Sequence, residues 1–290
     1  MKKIRYSITT IILIAAALSL SSCLKNSNNY VDLTKGVPLV ELPLEARNLP
    51  GNLVPEALPI SATPQVIQVA VNIASVNPLN SPVTVTLALD APAIDVYNHA
   101  QGLDTGGNVP YKMLPAADYS IPTYQVTIPA GQRLGYININ VNTSLIDPSG
   151  LFILPIKIVN GGGQQVSNYD ELLLSVGAKN QYDGTYTASG IRHHPVLGDI
   201  PFNYSVAMGT ASASAVDGPA LADLKQDLHL QINADNTVTV TSTDEPDGAN
   251  QAGTTSTYNP ATKTFTLHYF YNVAAPRKID ETLVYTGPRP

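Results

Sequence analysis

Three sets of side chains in this sequence have the types and spacing from which chemistry is built. Asp244, Glu245 and Asp247 place three acids within four positions. Paired carboxylates about 5–10 Å apart on a rigid frame hydrolyse glycosidic bonds. Here the acids flank Pro246 and Gly248, which reads as a solvated turn and not a frame. The cluster also lacks the alternating Asp/Asn spacing and the distal Glu of a calcium loop. His193 and His194 precede Pro195, with Asp199 nearby, and are expected in a solvated loop. Adjacent residues on a strand face opposite sides, so this pair cannot readily share one metal. His229 and His268 fall in alternating segments and read as ordinary face residues. No Gly-x-Ser-x-Gly, His-Glu-x-x-His or phosphate loop occurs. The glycines at 106–107 and 161–163 lack the Lys or Ser/Thr that a phosphate loop requires. These readings predict a protein that is not an enzyme, with no cofactor and no metal site.

The third set is aromatic. The chain has 15 Tyr and no Trp. Sugars lay their C–H faces on flat rings, and Tyr offers such a ring with few rotamers and a polar tip. Tyr182, Tyr186, Tyr204, Tyr258, Tyr269 and Tyr271 concentrate in the second half and are the candidate ligand-binding residues. Tyr269 and Tyr271 share one face of a strand and Phe270 takes the other. The competing reading, favoured for any single one of them, is that they build the core of a Trp-free β-domain.

These residues must be positioned by something, and the ends of the chain say where. Lys2, Lys3 and Arg5 precede an apolar run from Ile11 to Leu20, then Ser21, Ser22 and the single cysteine, Cys23. A basic start, a short apolar run and small residues make a secretory signal, and the Cys placement matches a bacterial lipobox. The run is too short to span a bilayer, which needs about 20 apolar residues. Residues 1–22 are therefore expected to be removed and Cys23 to be lipidated. Residues 23–35 form a polar tether. Cleavage removes three cations and no acid, leaving 268 residues with 13 basic and 22 acidic side chains, a charge of −9. Such a chain suits neither nucleic acid nor electrostatic membrane binding. With Cys23 lipidated, no thiol remains for disulfides.

Pro-rich, Gly-rich and Val/Thr-rich composition with only 13% charged residues points to an all-β fold. Residues 24–60 are weakly patterned, with one edge strand expected over 36–42. Period-two alternation marks strands at 65–73, 83–90, 124–128, 135–141, 151–158 and 172–176. A short helix is expected over 93–98. About seven strands at ten-residue spacing predict an immunoglobulin-like β-sandwich over 36–177. Further strands at 185–188, 204–208, 228–232, 237–241, 264–271 and 278–285 predict a small antiparallel meander or barrel over 178–290. A helical turn is expected at 220–226.

The order Tyr97-Asn98, Leu114-Pro115, Asp118-Tyr119, Val126 to Gly131 and Leu154-Pro155-Ile156 resembles the N-terminal domain of unknown function of Bacteroides-type surface lipoproteins. Lys179 to Tyr186 resembles the usual junction to a second domain. Thr257-Tyr258-Asn259-Pro260, Phe265, Leu267 and Tyr269 resemble the C-terminal module of such proteins. The resemblance covers most of the mature chain and transfers no catalytic or binding residue. It implies a β-sandwich followed by a β-rich module and a role near glycan capture, because members are typically encoded with SusC/SusD-like glycan importers. Some members carry family-18 glycosidase domains, but the acidic series of that chemistry is absent here. The expected function is a non-catalytic, lipid-anchored envelope protein that binds glycan or assists a SusC/SusD-like importer. The alternative is a structural or protein-interaction lipoprotein without sugar affinity. The expected location is the outer membrane, at the cell surface or the periplasmic face. The expected partners are the membrane through the anchor, glycan and SusC/SusD-like proteins, with no nucleic acid.

Overall fold

A computed structural model describes residues 36–45, 53–224, 226–245 and 247–289. The leader, Cys23 and the tether lie outside the described residues. The first half contains β1 (Leu39–Glu41), β2 (Leu53–Pro59), β3 (Gln65–Ala74), β4 (Val83–Leu89), helix α1 (Pro92–Ala100) and β5 (Lys112–Met113). It continues with β6 (Tyr119–Ser120), β7 (Gln125–Ile128), β8 (Leu134–Val141), β9 (Phe152–Asn160), β10 (Gln165–Val166) and β11 (Glu171–Lys179). The second half contains β12 (Gly184–His194), β13 (Gly198–Ser212), β14 (Ala215–Leu221), β15 (Gln226–Ile232) and β16 (Val238–Thr241). It ends with β17 (Ala249–Asn250), β18 (Thr257–Asn259), β19 (Thr264–Tyr271) and β20 (Arg277–Gly287).

Two sheets form the sandwich. One has the order β10-β1-β3-β8-β6; the other has β2-β11-β9-β4-β7, with β5 beside β9. Alternation decides which side chains meet between them. Val69 and Ile137 come from the first sheet, and Val85, Leu154 and Leu174 from the second; all join one buried cluster. The weakly patterned stretch before residue 60 holds a strand the sequence did not announce. β2 carries exposed Pro55 and Pro59 and, among the described residues, pairs only with β11, in parallel. Proline is tolerated there because an edge strand has one side with no ladder to feed. Helix α1 covers the predicted 93–98 segment and starts on Pro92, whose fixed φ suits a first turn. Asn98 clamps its far end, donating to the Tyr111 carbonyl (2.8 Å) and accepting the Tyr111 N–H (2.9 Å).

The second half is a nine-stranded sheet, β16-β15-β14-β13-β12-β20-β19-β17, with β18 beside β19. Nine strands replace the six read from the sequence. β14 was not read from the sequence, because Gly218 and Pro219 interrupt its alternation. The expected helical turn at 220–226 is a single 3-10 turn, Ala222–Leu224, between strands. The sheet curls until its ends meet. Thr237 bridges Thr257. The Asn250 side chain completes the seam, donating to the Val238 carbonyl (2.7 Å) and accepting the Val240 N–H (2.9 Å). The result is a nearly closed barrel. Its core includes Tyr186, Phe265, Leu267, Tyr269, Ile279 and Leu283.

Candidate functional site

The structure corrects the aromatic expectation. Tyr182, Tyr186, Tyr258, Tyr269 and Tyr271 are buried in the barrel core, and half-buried Tyr204 packs against it. A ring packed on both faces offers none to a sugar. Tyr182 meets Tyr258 edge-on at 4.9 Å, and Tyr186 meets Phe265 at 5.6 Å. The shared face of Tyr269 and Tyr271 is the inner one, with Phe265 and Leu267.

The inward tyrosines serve internal polar groups. In β20 the inner face reads Ile279, Glu281, Leu283, so strand phase puts a carboxyl inside. Glu281 is 1% exposed. The Tyr269 hydroxyl donates to its Oε2 at 2.6 Å and accepts the Ala222 N–H at 3.1 Å. Glu281 Oε1 has no hydrogen-bond partner among the described residues. Burial disfavours the charged form and pushes the acid up to about 8. Nearby, Arg192 grips both Asp223 oxygens of the 3-10 turn through two N–H groups, at 2.5 and 2.6 Å, and reaches the Tyr271 hydroxyl at 3.3 Å.

The four histidines of the second half lie on β12, β15 and β19, and His193 is at a strand end and not in a loop. His193 Nδ1 lies 2.6 Å from Asp199, its Nε2 lies 3.2 Å from Asp280, and His268 Nδ1 lies 2.6 Å from the other Asp280 oxygen. Acid and imidazole thus alternate across β13, β12, β20 and β19 on the outer face. The Asp199 carboxylate, first, and Asp280 hold the His193 proton more tightly than usual. The imidazole fills the space between the two carboxylates, so no sugar fits there. His194 turns away, as strand geometry requires, and accepts the Val196 and Leu197 N–H groups at 3.1 Å each. Among the described residues no group of His, Asp and Glu is arranged to hold a metal. The acids of the 244–247 turn stitch loops: Asp244 accepts the Asp227 N–H, and Asp247 accepts those of Asn272 and Val273.

A cleft of about 750 Å³ opens between sandwich and barrel. Its floor is the junction segment. Asn180 is buried and donates to the carbonyls of Ser212 and Ala215 at 2.7 Å each. Asp183 accepts Thr210 N–H and O–H at 2.9 Å and both Arg289 donors at 3.1 Å. On the barrel side stands Tyr285, half-buried against Tyr186 at 5.5 Å, with the Lys263 ammonium 4.5 Å above its ring. The ring fits because residue 184 is glycine: a Cβ there would lie 2.3 Å from the Tyr285 ring edge. Gln181, Lys179 and Ile60 complete the walls. Sequence reasoning had Tyr285 at the end of its last strand but no sign that it faced another domain. A second hollow of about 760 Å³ runs beside α1, between Ile94, Met113, Asp95 and Asp104. The interdomain cleft is the better candidate, since polar groups from two domains converge on an aromatic ring there.

Two family models cover most of the chain, one for an N-terminal domain over residues 51–165 and one for the matching C-terminal domain over 170–286. The chain belongs to this two-domain family. It is the Bacteroides-type family whose N-terminal domain has no assigned function, as the resemblance implied. Solved family-like structures share the fold. A Bacteroides ovatus protein of unknown function superposes with a TM-score of 0.59 at 15% identity, covering 86% of this chain and 93% of its own. A second from the same organism, a multidomain protein including DUF1735, gives 0.59 at 15% identity over 84% and 93%. An auxiliary nutrient binding protein from Bacteroides thetaiotaomicron gives 0.51 at 16% identity over 88% and 94%. No curated protein matches the sequence.

Proposed function

We propose that this protein is a non-catalytic, lipid-anchored envelope protein that binds glycan in the interdomain cleft and assists a SusC/SusD-like importer at the outer membrane. The cleft carries the reading: one aromatic ring, amide and charged side chains, and walls from two domains meet there. Polyhydroxylated ligands need that mix of ring and hydrogen-bonding groups. The shared fold with a nutrient binding protein supports the same role. The basic start, apolar run and lone Cys23 support the anchor. Calorimetry against host, plant and microbial polysaccharides tests the capture role; silence across the panel counts against it. Membrane partitioning of Cys23→Ala tests the anchor, which predicts release of the variant. The alternative is a protein-interaction lipoprotein without sugar affinity. Exposed Val196 and Leu197 at the β12–β13 hairpin tip favour it. Pull-down of a membrane protein without glycan binding would select it.

A further inference from the structure

We infer that the interdomain cleft takes an acidic saccharide, one carrying a uronic carboxylate or a sulfate, in preference to a neutral one; this rests on the cleft reading above. The protein as a whole is acidic, with a net charge of −6. The cleft has the opposite sign: Lys179, Lys263 and Arg289 line it, against Asp183 alone. That single acid is not available to repel a ligand. Its side chain is 7% exposed, and both oxygens are occupied by Thr210 and Arg289.

The two lysines differ from Arg289. Arg289 is neutralised by Asp183, whereas among the described residues neither Lys179 nor Lys263 has a carboxylate partner. Like charges lining a concave site focus their field on an anion there more strongly than they would on a flat surface. The position of Lys263 decides between ligand classes. Its ammonium sits over the Tyr285 ring, where a neutral sugar would lay its C–H face. Lys263 itself is exposed and sits in a turn at φ 50°, bonded through its carbonyl to the Tyr285 N–H at 3.2 Å. The backbone therefore starts that side chain beside the ring. The site presents a positive charge backed by an aromatic face, with Gln181 beside it for hydroxyls. A neutral saccharide must displace the ammonium from the ring; an acidic one pairs with it where it stands.

The test is calorimetry on the full chain with an oligogalacturonide, a sulfated chondroitin oligosaccharide and a neutral galactan oligosaccharide, at low and moderate salt. Inorganic sulfate is a fourth arm. Lys179→Gln, Lys263→Gln and the double variant follow, with melting curves as a folding control. The expected result is binding of one or both acidic saccharides, weakened several-fold by salt and about 10-fold or more in the double variant, with inorganic sulfate much weaker. Neutral saccharide bound as tightly as acidic, with unchanged affinity in the double variant, overturns the charge preference and leaves glycan capture standing. Sulfate alone binding as tightly as the sulfated saccharide overturns saccharide recognition. Binding of no saccharide at all overturns this inference together with the capture role on which it rests.

Discussion

Glu281 should make the barrel weaken as pH rises through neutrality. The folded state holds it as a neutral acid, since burial lifts it from about 4.5 to about 8. The unfolded chain gives up that proton near its ordinary value. Folding therefore binds a proton throughout the interval, and stability falls with pH there. The contribution is complete below pH 4.5, declines up to about pH 8, and is flat beyond. Each pH unit in the interval is worth ~1.4 kcal/mol, so the loss between pH 4.5 and 7 is about 3 kcal/mol. Glu281→Gln keeps an acceptor for the Tyr269 hydroxyl and cannot ionise. Thermal melting of the two proteins from pH 4.5 to 8.5, followed by near-ultraviolet tyrosine signal, reads the difference. The wild-type midpoint should drop across this range more steeply than that of the variant, which exceeds it at pH 8. Parallel profiles would refute the claim that this carboxyl is kept neutral inside the barrel.

Three further outcomes follow from the geometry. Gly184→Ala forces the Tyr285 ring out of its seat and should cost about 1–3 kcal/mol by overpacking, with loss of ligand binding in the same preparation. Asn180→Ala leaves the carbonyls of Ser212 and Ala215 and the Tyr182 N–H without their side-chain partner; denaturant titration should show a loss of about 1–3 kcal/mol. The His193 proton, shared with Asp199 and Asp280, should titrate by NMR above its ordinary 6.5, and Asp199→Asn should bring it back down. Whatever this ion pair adds is present below pH 6.5 and lost as pH climbs through the raised value.

Strand phase was legible wherever alternation was clean. The reading of 83–90 matches β4 at Val83–Leu89, and that of 264–271 coincides with β19. Several two- and three-residue strands escaped, and so did two seven-residue ones, β2 and β14, which contain turn residues for tertiary reasons. β2 holds prolines at an edge, and β14 needs Gly218 where a Cβ would meet the Ala207 carbonyl at 2.5 Å. Tyr269 and Tyr271 were rightly placed on one face, but a face has no label in sequence, and tyrosine suits a wet surface or a core that must satisfy a hydroxyl. The clue was one strand away. Glu281 falls in phase with Ile279 and Leu283, so an acid occupies a core position that a tyrosine must serve. The cleft was not legible at all. Tyr285, Lys263 and Asp183 lie far apart along the chain, and only barrel closure and the junction bring them together.

The seam at Asn250 carries a consequence for life in a crowd. A meander that stopped short would display two bare rims, and bare rims recruit strands from neighbouring molecules. Here one amide imitates a short length of backbone and clasps the last gap shut. Remove that clasp, as in Asn250→Ala, and the Val238 carbonyl and Val240 N–H stand bare beside the Thr237–Thr257 bridge, a short sticky notch where a neighbour's strand could dock.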